Sequence, residues 1–140
     1  MLKSILYVSH SKLLDEDADG QVHAIVDLAQ TRNVELQVTG VLLYTGARFA
    51  QLMEGPAQSV DTLMARIARD ERHDRITMLQ VSRPSVRRFD EWAMAYAGRS
   101  TYVDRHLRAL LQDVGEAERR DGCEALIELM WALNNTRVSS

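Results

Sequence analysis

The segment "FAQLMEG", Phe49 to Gly55, decides how the rest of the chain is read. It has the look of a short strand entering a tight turn. Strand side chains alternate between faces, so Phe49, Gln51 and Met53 point the same way. Two of the three are apolar, and the middle one is a primary amide. Gln51 therefore sits as a polar residue on a face built for a core, with two N–H donors and a carbonyl acceptor to satisfy.

The flanking segments supply the sheet and helices around it. "SILYVS" (Ser4 to Ser9) is a compact apolar run and reads as the first strand. "KLLDEDADG" brings acidic and glycine punctuation, with Asp17 or Asp19 as helix N-cap. From Gly20 to Asn33 the residues Val22, Ile25, Val26, Leu28 and Ala29 fall at helical spacing, with Asn33 ending the helix. "ELQVTGVLLY" and "RFAQLME" read as two strands joined at "TGA" in a hairpin, where glycine permits positive φ. Pro56 belongs at the start of a second helix carrying Val60, Leu63, Met64 and Ile67. "RITMLQV" and "EWAMAYA" are the fourth and fifth strands. The order β-α-β-β-α-β-β predicts an α/β (α+β) ferredoxin-like fold with a five-stranded mixed sheet and both helices on one face. The first strand is apolar on both sides, so the second face needs a cover. Two helices in the tail, Asp104 to Asp113 and Glu116 to Asn134, are expected to provide it.

The chain has 140 residues, most simply one domain, with a core that needs no staples. It is 46% hydrophobic and 26% charged, which argues against disorder. A net charge of −3 offers no basic footprint for nucleic acid or for an anionic membrane. The single cysteine, Cys123, lies among apolar neighbours on a helix and reads as core; one thiol makes no internal disulfide, which fits a reducing compartment. No apolar run approaches the roughly 20 residues of a membrane span, and no secretory signal is evident at the N-terminus. A cytoplasmic location is expected.

Tyr7 lies between Ile5 and Ser9 on one face of the first strand, and strands one and three can be neighbours in this topology. The Tyr7 hydroxyl and the Gln51 amide could then pair, with amide capacity left over for water, backbone or a ligand between the helices. Two readings stay open here: a strand glutamine at an edge beside a satisfied core tyrosine, or a ligand site. Asn33 likewise reads as a helix cap or as a site residue. Arg66, Asp70 and His73, at i, i+4 and i+7, form either a solvated ion-pair ladder or the polar rim of a site. No metal-ligand cluster, phosphate loop or Ser–His–acid arrangement is evident.

Taken together, the motifs resemble the BLUF family of flavin-using blue-light sensors. The matching pieces are "LYVS" with Tyr7, "TRN" ending in Asn33, "VTGVLLY", "FAQLMEGP" with Gln51, "RIARDERH" from Arg66 to His73, and "FDEWAM" with Trp92 and Met94. The resemblance covers roughly the first two thirds of the chain. It implies a flavin-binding domain over residues 1–97 and a helical extension over residues 98–140 that packs on the sheet. It implies FAD as ligand, with FMN or riboflavin accepted in some relatives, its ring between the two helices. Carried over by motif, Asn33 would bond the pyrimidine end of the ring and Gln51 would stand between Tyr7 and the N5/O4 edge. Arg66 and Asp70 would lie beside the polar edge and ribityl chain, His73 near the same mouth, and Ile25 and Ile67 would flank the ring. Tyr7, Gln51, Trp92 and Met94 would be the photoactive set. Only one of Trp92 and Met94 can occupy a single pocket position, and Arg32 stands where relatives vary.

The resemblance thus implies a non-enzymatic photoreceptor, signalling to a separate protein or through self-association. The alternatives are a cofactor-free interaction module on the same scaffold and a flavin-dependent oxidoreductase, for which no second dinucleotide fingerprint is present.

Overall fold

The computed structural model describes residues 1–89, 95–99, 103–112 and 115–139. Strands β1 (Leu2–Ser11), β2 (Thr39–Tyr44), β3 (Arg48–Pro56), β4 (His73–Ser82) and β5 (Ala95–Arg99) alternate with helices α1 (Ala18–Leu36) and α2 (Ala57–Ala68) in the order β-α-β-β-α-β-β. Helices α3 (Asp104–Leu110) and α4 (Glu116–Ser139) follow. The sheet order is β4-β1-β3-β2-β5. β4, β1, β3 and β2 run antiparallel to their neighbours, and β5 lies parallel along β2. The expected five-stranded mixed sheet is better described as a four-stranded antiparallel ferredoxin-like sheet, with a five-residue parallel strand added at the β2 edge.

Helix α1 buries Ala18, Val22, Val26, Ala29 and Asn33, a stripe at helical spacing that faces the sheet. It does not end at Asn33. It runs three residues further, and Gln37 closes it in the left-handed region (φ 60°), its N–H donating to the carbonyls of Asn33 and Val34. That extra turn shortens β2, which begins at Thr39 rather than at Glu35. The β2–β3 turn is built as anticipated: Gly46 takes a positive φ of 99°, and the Thr45 hydroxyl accepts the N–H groups of Ala47 and Arg48. Pro56 stands at the N-cap of α2.

The two faces of the sheet are packed differently. On the tail side there is one continuous core. Leu6, Val8, Val41, Leu43, Ala50, Leu52 and Leu79 of the sheet meet Leu107 and Leu110 of α3 and Cys123, Leu126, Ile127 and Met130 of α4. On the other side the core is split. α1 packs with Leu42, Tyr44 and Phe49, while α2 packs with Ile5, Tyr7, Val38 and Met53. The seam between these two clusters runs down the middle of the sheet.

The segment Arg87–Phe89, after β4, lies against the tail-side core and is fastened there by a buried acid. Glu54, 1% exposed, accepts the backbone N–H groups of Arg88 (2.8 Å) and Phe89 (2.9 Å) through Oε1. Arg87 clamps the same segment, donating to the Gln37 carbonyl, the Thr39 hydroxyl and the Glu54 carbonyl. Arg88 reaches α4 by a salt bridge to Glu124. Cys123 is buried in this core and burial pushes its thiol pKa up, which suits a packing residue rather than a nucleophile.

Replacing Glu54 by alanine strands two backbone donors away from water. Each such loss costs about 1–3 kcal/mol, so Glu54→Ala is expected to lower unfolding free energy by roughly 2–4 kcal/mol in a urea titration. A loss below about 0.5 kcal/mol, the scale of an ordinary surface substitution, would show that the latch carries no weight.

Candidate functional site

The seam between the two helix-side clusters opens into a cleft between α1 and α2. Its floor is set by strand register. β1 and β3 pair so that Tyr7 lies directly opposite Gln51, and the Tyr7 hydroxyl donates a short hydrogen bond to Gln51 Oε1. Both residues are buried. Gln51 is thus neither an edge residue nor solvent-facing. Its Oε1 accepts from the phenol. Burial pushes the Tyr7 pKa well above its usual range; the Asp70 carboxylate pushes the same way, and the Arg32 guanidinium opposes them.

Ile25, Leu28, Ala29 and Arg32 of α1 form one wall, and Arg66 and Ile67 of α2 the other. Leu42 and Phe49 complete the apolar lining, and Asp70, Arg72 and His73 close one end. Arg66, Asp70 and His73 do not share a helical stripe. α2 stops at Ala68, Asp70 lies in the following turn, and His73 is the first residue of β4. The turn has a local cause. Asp70 Oδ1 accepts the Arg72 N–H at 2.9 Å, an Asx-type turn that competes with further helix. Arg72 Nε also donates to Oδ1 at 2.8 Å, and its terminal nitrogen binds Oδ2. That hydrogen-bonded guanidinium holds the Asp70 carboxyl below its usual range.

His73 lines the cleft but spends both ring nitrogens on the protein. Nδ1 lies 2.7 Å from Ser9 Oγ and Nε2 lies 2.6 Å from the Ile67 carbonyl. A carbonyl only accepts, so Nε2 carries the proton and, in the neutral ring, Nδ1 accepts from the Ser9 hydroxyl. The ring therefore pins the end of α2 to β1, with edge contacts to Tyr7 and Phe49 at 6.2 Å.

Seven of the anticipated residues therefore meet in one place: Tyr7, Ile25, Gln51, Arg66, Ile67, Asp70 and His73. Asn33 is fully buried one residue beyond Arg32 and does not line the cleft. Trp92 and Met94 lie outside the described residues. Arg72 also lines the cleft, at a position that helical spacing from Arg66 does not reach; the aspartate two residues before it is its signal in the sequence. Leu42 follows from strand alternation with Gly40 and Tyr44.

The cleft can hold a flat, partly polar ring. It has apolar side chains on opposing walls and an amide at its floor. Arg32 adds a buried Nε with no hydrogen-bond partner among the described residues, as expected of a group awaiting a ligand. Among the described residues there is no His, Cys, Asp and Glu grouping that could hold a metal, and no helix long and apolar enough to cross a membrane.

A sequence model of the BLUF family, "Sensors of blue-light using FAD", matches residues 2–95. The chain belongs to that family of blue-light flavin sensors. It is 35% identical over 94 residues to the blue light- and temperature-regulated antirepressor BluF of Escherichia coli, a match covering 67% of this chain and 23% of that protein. It is 31% identical over 93 residues to the photoactivated adenylate cyclase subunit beta of Euglena gracilis, covering 66% of this chain and 11% of that one. The matched region thus spans less than a quarter of these curated relatives. Among solved structures, the dark state of the BLUF protein BlrB superposes with a TM-score of 0.64 at 36% identity, covering 79% of this chain and 78% of that one. The photo-activated state of BlsA shares the fold over 93% of this chain and 94% of its own, with a TM-score of 0.77 at 23% identity.

The raised Tyr7 pKa has a sign that can be tested. The phenol ionises more readily unfolded, near pH 10, than in the fold. The stability that Tyr7 contributes is fully present below about pH 10 and is lost as pH rises toward the folded value. Denaturant midpoints measured between about pH 9 and about pH 11, bracketing that value, should fall more steeply for the wild type than for Tyr7→Phe. Parallel curves would contradict the assignment.

Proposed function

We propose that the chain is a non-enzymatic blue-light receptor that binds FAD between α1 and α2 and signals through the Tyr7–Gln51 hydrogen bond. The observation that carries this reading is the Tyr7 hydroxyl donating to the Gln51 amide at the floor of the cleft. Flavin, when bound, supplies absorption of blue light and an excited state that accepts an electron. Tyr7 is suited to give that electron together with its hydroxyl proton. Gln51 is suited to relay the proton, since its amide accepts at Oε1 and donates from Nε2. When both have returned to Tyr7 there is no net redox change. The lasting difference would be a rearranged hydrogen bond between Gln51 and the ring, through rotation or tautomerisation of the amide.

Ile25 and Ile67 would hold the ring between the walls, Arg66 and Asp70 would lie along its polar side, and Asn33 would bind its pyrimidine end from beside the Arg32 wall. His73 acts on the protein rather than on the ligand, since both its ring nitrogens are engaged. Trp92 or Met94 would complete the photoactive set. FMN or riboflavin in place of FAD would leave the floor chemistry intact. The receptor would work in the cytoplasm and hand its signal to a separate protein or to a second copy of the chain. A cofactor-free interaction module on the same scaffold is the competing reading.

Purified protein reconstituted with FAD should be yellow and show a small, reversible red shift of flavin absorption after blue light. Gln51→Leu and Tyr7→Phe should each keep the flavin and lose that shift. Protein that stays colourless after refolding with FAD would favour the interaction module, and an unchanged red-shifted product in either variant would remove the roles given to these residues.

A further inference from the structure

A groove between α3 and α4 opens to solvent, away from the cleft. Leu110, Gly122, Leu126 and Leu129 form its floor, and the exposed Ala109 and Ala125 form its lips. Gly122 is where the two helices come closest: a Cβ on it would lie 2.5 Å from Leu110 Cδ2. The floor is apolar and the lips are small. Side chains of that size let a further helix settle near the short end of the usual interaxial range, about 8 Å.

The two walls of the groove differ in charge. His106 stands on the α3 wall and Glu118 on the α4 wall. Arg105 is exposed one helical turn before Ala109, on the same edge of α3. Asp121 and Glu128 are exposed one turn either side of Ala125, on the same edge of α4. None of Arg105, His106, Glu118, Asp121 and Glu128 forms an ion pair or side-chain hydrogen bond among the described residues. Elsewhere on the same helices, Asp104 is held by Arg48 and Glu124 by Arg88. The charges beside the groove are thus the ones left for something outside the chain.

A patch of one sign calls for an unlike partner. A patch that is basic on one side of an apolar strip and acidic on the other matches itself when turned about a two-fold axis. We infer that the groove is a contact between two copies of this chain. The α4 helices lie antiparallel, each in the groove of the other copy, so that the acidic edge of each α4 faces the basic edge of α3 across the axis. The contact is isologous, so every pairing forms twice. The apolar strip is what leaves water, and the exposed charges set register and reject mismatched docking. This contact gives a surface to the second copy in the signalling reading above. Its test uses neither flavin nor light, so either can fail without the other.

The test is sedimentation equilibrium of the full chain and of two charge-swapped forms. Arg105→Glu with His106→Glu makes the α3 edge acidic, and Asp121→Arg with Glu128→Arg makes the α4 edge basic; all four positions are exposed. Wild type should sediment as a dimer. Each swapped form alone sets like charge against like at both contacts, and its dimer should dissociate at least about tenfold more readily. An equimolar mixture of the two should recover a dimer, now mixed, because every facing pair is again opposite. Recovery on mixing separates lost pairing from a damaged fold. Wild type that stays monomeric up to about 1 mM, the weak end of specific association, would overturn the contact and leave the groove to an unlike protein or to water. Swapped forms that dimerise as tightly as wild type, or a mixture that stays monomeric, would overturn it equally.

Discussion

The antiparallel register between β1 and β3 is the constraint on which the rest of the molecule depends. It places Tyr7 opposite Gln51, and in the same stroke places Leu6 opposite Leu52 and Val8 opposite Ala50 on the other face. One set of pairs makes a polar couple at the floor of a cleft. The other set makes the centre of a continuous core. Because side chains alternate with a period of two, both outcomes follow from one choice of pairing, and a slip by one residue would undo both.

The division of labour between the two faces follows from how each is packed. The tail side has no seam, so the sheet is rigidly backed where α3 and α4 lie. The helix side has two smaller clusters, each serving one helix, and the polar groups collect where they part. Ser9 and His73 hold the end of α2 to β1 beneath this gap. The arrangement fixes the floor while leaving the walls the lesser packing.

Much of this was readable from residue order because the strands carry plain period-two patterns and the hairpin carries its glycine. The pairing of Tyr7 with Gln51 needed only the ferredoxin-like order. Other features depended on choices that sequence does not display. Asn33 looked like a helix end, yet its carbonyl served as an acceptor for a cap four residues on, at Gln37, a residue type seldom found in the left-handed region. The spacing of Arg66, Asp70 and His73 suggested one helical face, but the Asp70 side chain turned the backbone before that face could continue. Arg32 and Arg72 carry charges that only three-dimensional proximity relates to each other. Family resemblance supplied the site residues as a set, and packing brings seven of them to one cleft, with Asn33 buried next to its Arg32 wall.

The buried acid Glu54 stands three residues from Gln51 on the same strand, on the opposite face. At about 3.4 Å per residue the two lie about 10 Å apart along the backbone. One faces the cleft between the helices; the other grips Arg88 and Phe89 by their backbone N–H groups, and Arg88 is in turn bound to α4. The strand is thus a direct mechanical link between the two layers. Any displacement of β3 along its own axis is felt on both sides of the sheet at once, with no packed interface to cross and no intervening loop to absorb it.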